Sequence, residues 1–274
     1  MELIVCWDTF RALEPLRSRD VTGEPLAALL GLPGVRNAAE RAGRAMVAMH
    51  RHPAIQRHWA ATAAEASVRA ARASAALDGG AFTLSGQGGA AEPVLAGALR
   101  VAGALAGLRS VWERAPLQVL ARLHVLAAAD LAPEPQLGRP RPGAEVTARL
   151  AGLAQLVAAQ LAAGGGGVGV PVLAAVVHGE LLALAPFPHA NGVVARAAAR
   201  LTMVASGLDP GGLAVPEVAH LRRQGQYRAT LDGFAGGGAA QVGEWIEHCC
   251  TALIVGAREA IAIARIGTAN CNSE

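Results

Sequence analysis

Residues 178–196 read HGELLALAPFPHANGVVAR, and their punctuation decides the architecture. Upstream, Leu173, Val177, Leu181 and Leu184 recur at helical spacing, which predicts one buried stripe. Downstream, Val194, Ala198, Leu201 and Ala205 form a second stripe that Gly207 and Pro210 stop. Between the two, Pro186 and Pro188 stiffen a short loop over Ala185–Asn191, and Phe187 is its apolar anchor. Asn191-Gly192 permits unusual backbone angles where the second helix begins. The free amides at a helix N-terminus suit an anion such as phosphate.

The flanking sequence extends the helical reading. An Ala/Arg-rich run from Pro53 ends at Asp78-Gly79-Gly80, and a polar, glycine-rich loop follows from Thr83 to Ala91. Helical runs are predicted over Pro93–Ser110, Pro116–Ala129, Glu145–Ala162 and Gln241–Ile266. Four prolines within Ala132–Gly143 (Pro133, Pro135, Pro140 and Pro142) make that stretch a loop. Ala163–Val170 is a flexible joint, with Pro171 expected at a first helical position. Hydrophobic residues make up 53% of the 274 and aromatics only 3%, so an alanine-rich, all-α chain is expected rather than a sandwich or barrel.

Composition also excludes chemistry. All 24 basic residues are arginine, which removes a Schiff-base lysine, a Ser-Lys dyad and a P-loop lysine. The net charge is +3 with interspersed signs, so no basic stripe points to nucleic acid. Mean hydropathy is +0.34, yet the best apolar runs are interrupted. Leu95–Leu108 carries Arg100, Val170–Leu184 carries His178 and Glu180, and Ala252–Ile266 carries Arg258, Glu259 and Arg265. No membrane span is expected from them, nor a signal peptide from Leu3–Trp7. Cys6, Cys249, Cys250 and Cys271 make a poor disulfide framework and fit a reducing, cytoplasmic setting. Adjacent cysteines on a helix point about 100° apart, so His248-Cys249-Cys250 reads as buried thiols rather than a metal site.

The central stretch resembles the Fic family, whose signature H-P-F-x-[D/E]-G-N-G-R-x-x-R lies between two helices. Pro186, Phe187, Asn191, Gly192 and Arg196 match in register. His178 falls where the family often has a histidine on the preceding helix. Leu123-His124 with Gly138 and Arg141 is similar to the family's approach segment, and Tyr227 and Trp245 to a closing Y…W pattern. Ser74-x-x-x-Asp78-Gly79 resembles the inhibitory helix motif [S/T]-x-x-x-E-[G/N], with Asp for Glu. The resemblance covers roughly Ser67 to Ile266. It implies an all-α, Fic-like helical bundle: an N-terminal helical extension (1–60), a core (61–266) that includes an inhibitory-like helix (61–80), and a C-terminal tail (267–274). It also implies that the Pro/Arg-rich loop lies over the cleft.

By the same resemblance, Phe187, Asn191, Gly192 and Arg196 are nucleotide- or phosphate-binding, ATP is the nucleotide, and Ser74, Asp78 and Gly79 are inhibitory. The departures bear on activity. Ala185 stands where the family's catalytic histidine deprotonates the target hydroxyl. His189 replaces the acid that holds Mg²⁺, a hard cation that imidazole suits poorly. Val193 replaces the first arginine, and Ala190 a glycine. His189 is either a relocated base or a solvent-facing loop residue, and His178 reads as a hydrogen-bonded core histidine. Asp78 with Arg196 is either a retained inhibitory pair or a structural one. Three functions follow. The first is a pseudoenzyme binding a nucleotide, phosphate or protein partner without standard AMP transfer; the second is a Fic-type nucleotidyl- or phosphotransferase (AMPylation-like) with His189 as base and the Asn191-Gly192 amides as anion site; the third is a helical protein-interaction module. A homo-oligomer is compatible with each.

Overall fold

The structure, a computed structural model, describes residues 26–80, 92–164 and 168–271, with side chains as far as residue 266. Cys6, the Thr83–Ala91 loop, residues 165–167 and residues 272–274 lie outside the described residues, as does the Cys271 side chain. All regular structure among the described residues is helical. In chain order the helices are α1 (Ala27–Leu30), α2 (Val35–His50), α3 (Pro53–Arg57), α4 (Trp59–Leu77), α5 (Pro93–Arg114) and α6 (Pro116–Ala128). Then come α7 (Ala144–Ala162), α8 (Gly169–Leu184), α9 (Asn191–Ala205), α10 (Pro216–Arg222), α11 (Gln224–Gly236) and α12 (Ala239–Cys271).

Local chemistry sets the boundaries. Proline opens α3, α5, α6 and α10, where its missing N–H costs nothing and its fixed φ suits the first turn. Glu92 caps α5 by accepting from the Val94 and Leu95 amides at 2.9 and 3.1 Å. The run from Pro53 is two helices rather than one, broken at His58. Pro171 is the third residue of α8 and not the first; it still lies within the first turn, where amides have no intrahelical partner. The proline-rich 132–143 segment holds a single 3₁₀ turn, Glu134–Gln136.

α8 and α9 pack against each other at the centre. α8 is buried from Val170 through Leu181 and α9 from Gly192 through Met203, so each is enclosed on every side rather than along one stripe. The stripe residues are inside, but so are the residues between them. α5, α6 and α7 cover one side of this pair, and α12 crosses the other while also packing on α2, α4, α10 and α11. α5 is long and apolar enough to cross a membrane. Here it packs against α4, α6 and α9, and its Arg100 reaches α6 and the turn after it through the Leu126 carbonyl and Asp130. Val35, Ala39 and Ala42 of α2 belong to the same core as α8 and α9.

Candidate functional site

The loop joining α8 to α9 is bounded by two left-handed alanines, Ala185 (φ 43°, ψ 61°) and Ala190 (φ 57°, ψ 21°). The unusual backbone angles therefore fall on these alanines, and not on Asn191-Gly192 as the sequence suggests. A left-handed conformation costs an L-residue roughly 1–2 kcal/mol, so tertiary bonds must hold it. Arg141 donates to the Leu184 and Ala185 carbonyls, each at 2.9 Å, and its amide donates to the Pro186 carbonyl at 2.7 Å. Asn191 clasps Phe187: its Oδ1 accepts from the Phe187 amide and its Nδ2 donates to the Phe187 carbonyl. The Phe187 ring stacks on His124 at 4.2 Å, and His124 Nδ1 accepts from the Gly138 amide. The proline-rich segment is thus tied to the loop by Arg141 and through His124.

At the N-terminus of α9, the Asp78 carboxylate accepts from the Val193 amide at 3.0 Å and from Arg196 at 2.8 Å. Arg196 also donates to the Ser74 hydroxyl at 2.8 Å and the Ser74 carbonyl at 2.9 Å. Gly79 (φ 83°) follows the end of α4, and its left-handed turn leaves Asp78 at the helix terminus. Gly192 is needed for proximity: a Cβ there would collide with the Asp78 carboxylate. Burial works against the Arg196 charge, but Asp78 and Tyr227 outweigh it and raise its pKa. The structure therefore brings Ser74, Asp78 and Arg196 together beside Gly192. Sequence reasoning missed the Val193 amide as the donor, because its side chain replaces a polar one and directs attention elsewhere.

Behind Arg196 lies a buried polar and aromatic cluster. The Tyr227 hydroxyl is 3.4 Å from Arg196 and 2.8 Å from His178 Nε2, which makes His178 the hydrogen-bonded core histidine that the sequence suggests. Burial pushes the Tyr227 phenol up to about 12. It also lowers His178 and His220 well below their ordinary value, with Arg196 and neighbouring histidines adding to the effect. His220 Nδ1 and His248 Nε2 are 3.1 Å apart. Trp245 closes the cluster by donating to the Ala175 carbonyl at 2.8 Å. His220 had no sequence signal of its own; only the fold places it here.

His189 is exposed, and among the described residues its side chain makes no hydrogen bond or ion pair. It sits near His124, whose pKa is lowered by burial first and by His189 second. No group of three His, Cys, Asp or Glu among the described residues is arranged to hold a metal ion.

Three solved structures are similar to this chain. A Fic family protein from Desulfovibrio desulfuricans G20 superposes with a TM-score of 0.65 at 21% identity, covering 84% of this chain and 74% of that one. A Fic domain containing signaling protein from Bacteroides thetaiotaomicron gives 0.60 at 14% identity, over 83% and 98% of the two chains. This chain has the Fic fold. Fic-1 from C. elegans, at 15% identity and a TM-score of 0.52, covers 96% of this chain and 74% of its own. No family model and no curated protein matches the sequence. In the register of the Fic signature, Ala185 and His189 of the loop and Val193 of α9 stand where that signature has a histidine, an acid and an arginine. Among residues 185–191 there is no carboxylate to offer Mg²⁺, so the loop does not fit that metal.

Proposed function

We propose that this chain is a degenerate Fic-fold protein that holds a nucleotide or another phosphate-bearing ligand without transferring AMP. The reading is carried by the seating of the Asp78 carboxylate on the Val193 amide and the Arg196 guanidinium. A helix N-terminus with a converging arginine suits a phosphate, and here one of the protein's own anions occupies it. An incoming phosphate has to displace Asp78, so the site is gated. Ala185 offers no proton acceptor at the position where the resemblance places the general base, and the methyl of a left-handed alanine cannot substitute for one. Buried free thiols at Cys249 and Cys250 suit a reducing compartment, and we place the protein in the cytoplasm.

The test is incubation with Mg²⁺ and ATP labelled at the α-phosphate, alone and with cell lysate. Neither the protein itself nor any lysate protein becomes labelled beyond what the lysate shows alone. Labelling that disappears in His189→Ala would overturn the proposal and make His189 the base of an active transferase.

A further inference from the structure

Away from the Asp78 cleft, α10, the residue after it and α12 line a partly open cavity of about 200 Å³. That exceeds the ~150 Å³ void that accommodates benzene in an apolar core. Its basic lining is the Arg222 and Arg223 guanidiniums and the His248 imidazole. Its apolar lining comes from Ala219, Ala252 and Val255, with Thr251 at an exposed position on the rim. Two of the three basic groups are available to a ligand. Arg222 is committed to Glu259 at 3.3 Å. Arg223 has no carboxylate partner among the described residues, although its backbone is fixed by bonds to the Ala219 and His220 carbonyls and from the Tyr227 amide. His248 is 8% exposed, its Nε2 engages His220, and no hydrogen bond among the described residues engages its Nδ1.

We propose that this cavity binds a small carboxylate with a compact apolar body, its charge on Arg223 and His248 and its body on Ala219, Ala252 and Val255. The tautomer that fits is the one in which His220 Nδ1–H donates to His248 Nε2. His248 then carries its proton on Nδ1 and donates it to the carboxylate. An unpaired guanidinium beside a neutral imidazole favours an anion over a neutral or cationic ligand. The apolar walls favour a carboxylate that brings hydrocarbon over a bare inorganic anion. Binding places a negative charge beside His248, opposing the burial and the Arg223 charge that now hold its pKa down at about 4.

The probe is sodium benzoate, titrated into the full chain by calorimetry while the His248 ring is followed by NMR. One-to-one binding and an upward shift of the His248 titration are expected. Arg223→Gln, at an exposed position, weakens binding roughly ten-fold or more, the worth of a charge-assisted hydrogen bond. Thr251→Phe, also at an exposed position, blocks the cavity with the guanidinium intact. Benzamide and inorganic phosphate bind at least roughly ten-fold more weakly than benzoate. The proposal is overturned by an absence of heat and of any His248 shift up to about 10 mM benzoate, or by affinity unchanged in Arg223→Gln. Phosphate binding as tightly as benzoate would also overturn it, by making the cavity a simple anion site.

Discussion

Asp78 joins two groups with one carboxylate, and Gly192 is the residue that lets it approach. A methyl at Gly192 would meet the carboxylate oxygens and lift them from the Val193 amide. Loss of a charge-assisted bond of this kind costs about 1–3 kcal/mol, so Gly192→Ala should lower the melting temperature by several degrees. The same change made in an Asp78→Ala background should cost little, because the obstructed group is gone. Equal losses in the two backgrounds would show that Gly192 serves something other than Asp78. At this scale the sequence was partly legible. Ser74, Asp78 and Arg196 are side chains with a recognisable spacing, and they meet. The left-handed alanines 185 and 190 were not legible, since alanine resists that conformation and only the Arg141 and Asn191 bonds impose it. Val193 contributes through its amide, and every residue but proline has one.

Among the elements, α8 and α9 are those whose sequence pattern understated their burial. In α8, Leu173, Val177, Leu181 and Leu184 are spaced as one stripe, but Ala174, Ala175, Val176, His178, Gly179 and Glu180 between them are buried too, and a helix enclosed on every side carries no periodic signal of that burial. At Gly179 a Cβ would lie 2.6 Å from the Trp245 indole nitrogen and 2.9 Å from Phe234. α8, α10, α11 and α12 together bury His178, His220 and His248 around Tyr227 and Trp245. Burial is the first cause of the lowered pKa of all three, and it brings His248 to about 4. The unfolded chain therefore takes up protons below about pH 6.5 that the folded chain refuses. The stability these histidines contribute is complete above that pH and is lost as pH falls toward the folded values. Between pH 7.5 and 5, His248 alone should remove roughly 2 kcal/mol, a loss of several degrees in melting temperature. His248→Asn should remove that share of the dependence and leave the part due to His178 and His220. A melting temperature constant across the range would mean that the cluster is not buried as a unit.

Over the whole molecule, the all-helical architecture was readable from alanine content, proline starts and glycine stops, because these act locally. The long-range order was not. Nothing in residues 35–50 announces that α2 packs along α12, or that Met46 and Met49 share a second core with Leu213 and Ala257. The global arrangement matters for function because α4 must arrive beside the α9 N-terminus with Asp78 at its end. That juxtaposition seats the Asp78 carboxylate on the Val193 amide and Arg196, the contact on which the proposed gated anion site rests.

Calorimetric titration of ATP into the wild-type chain and Asp78→Ala, with thermal melting of both, measures the gate directly. The Asp78 side chain is 23% exposed, so its loss should cost roughly 1–3 kcal/mol, below the ~3–5 of a fully buried pair. Arg196 and the Val193 amide are then free for a phosphate, and ATP should bind roughly ten-fold or more tightly to Asp78→Ala than to the wild type. A lower melting temperature with no gain in ATP affinity would contradict this and make the Asp78–Arg196 pair a structural strut.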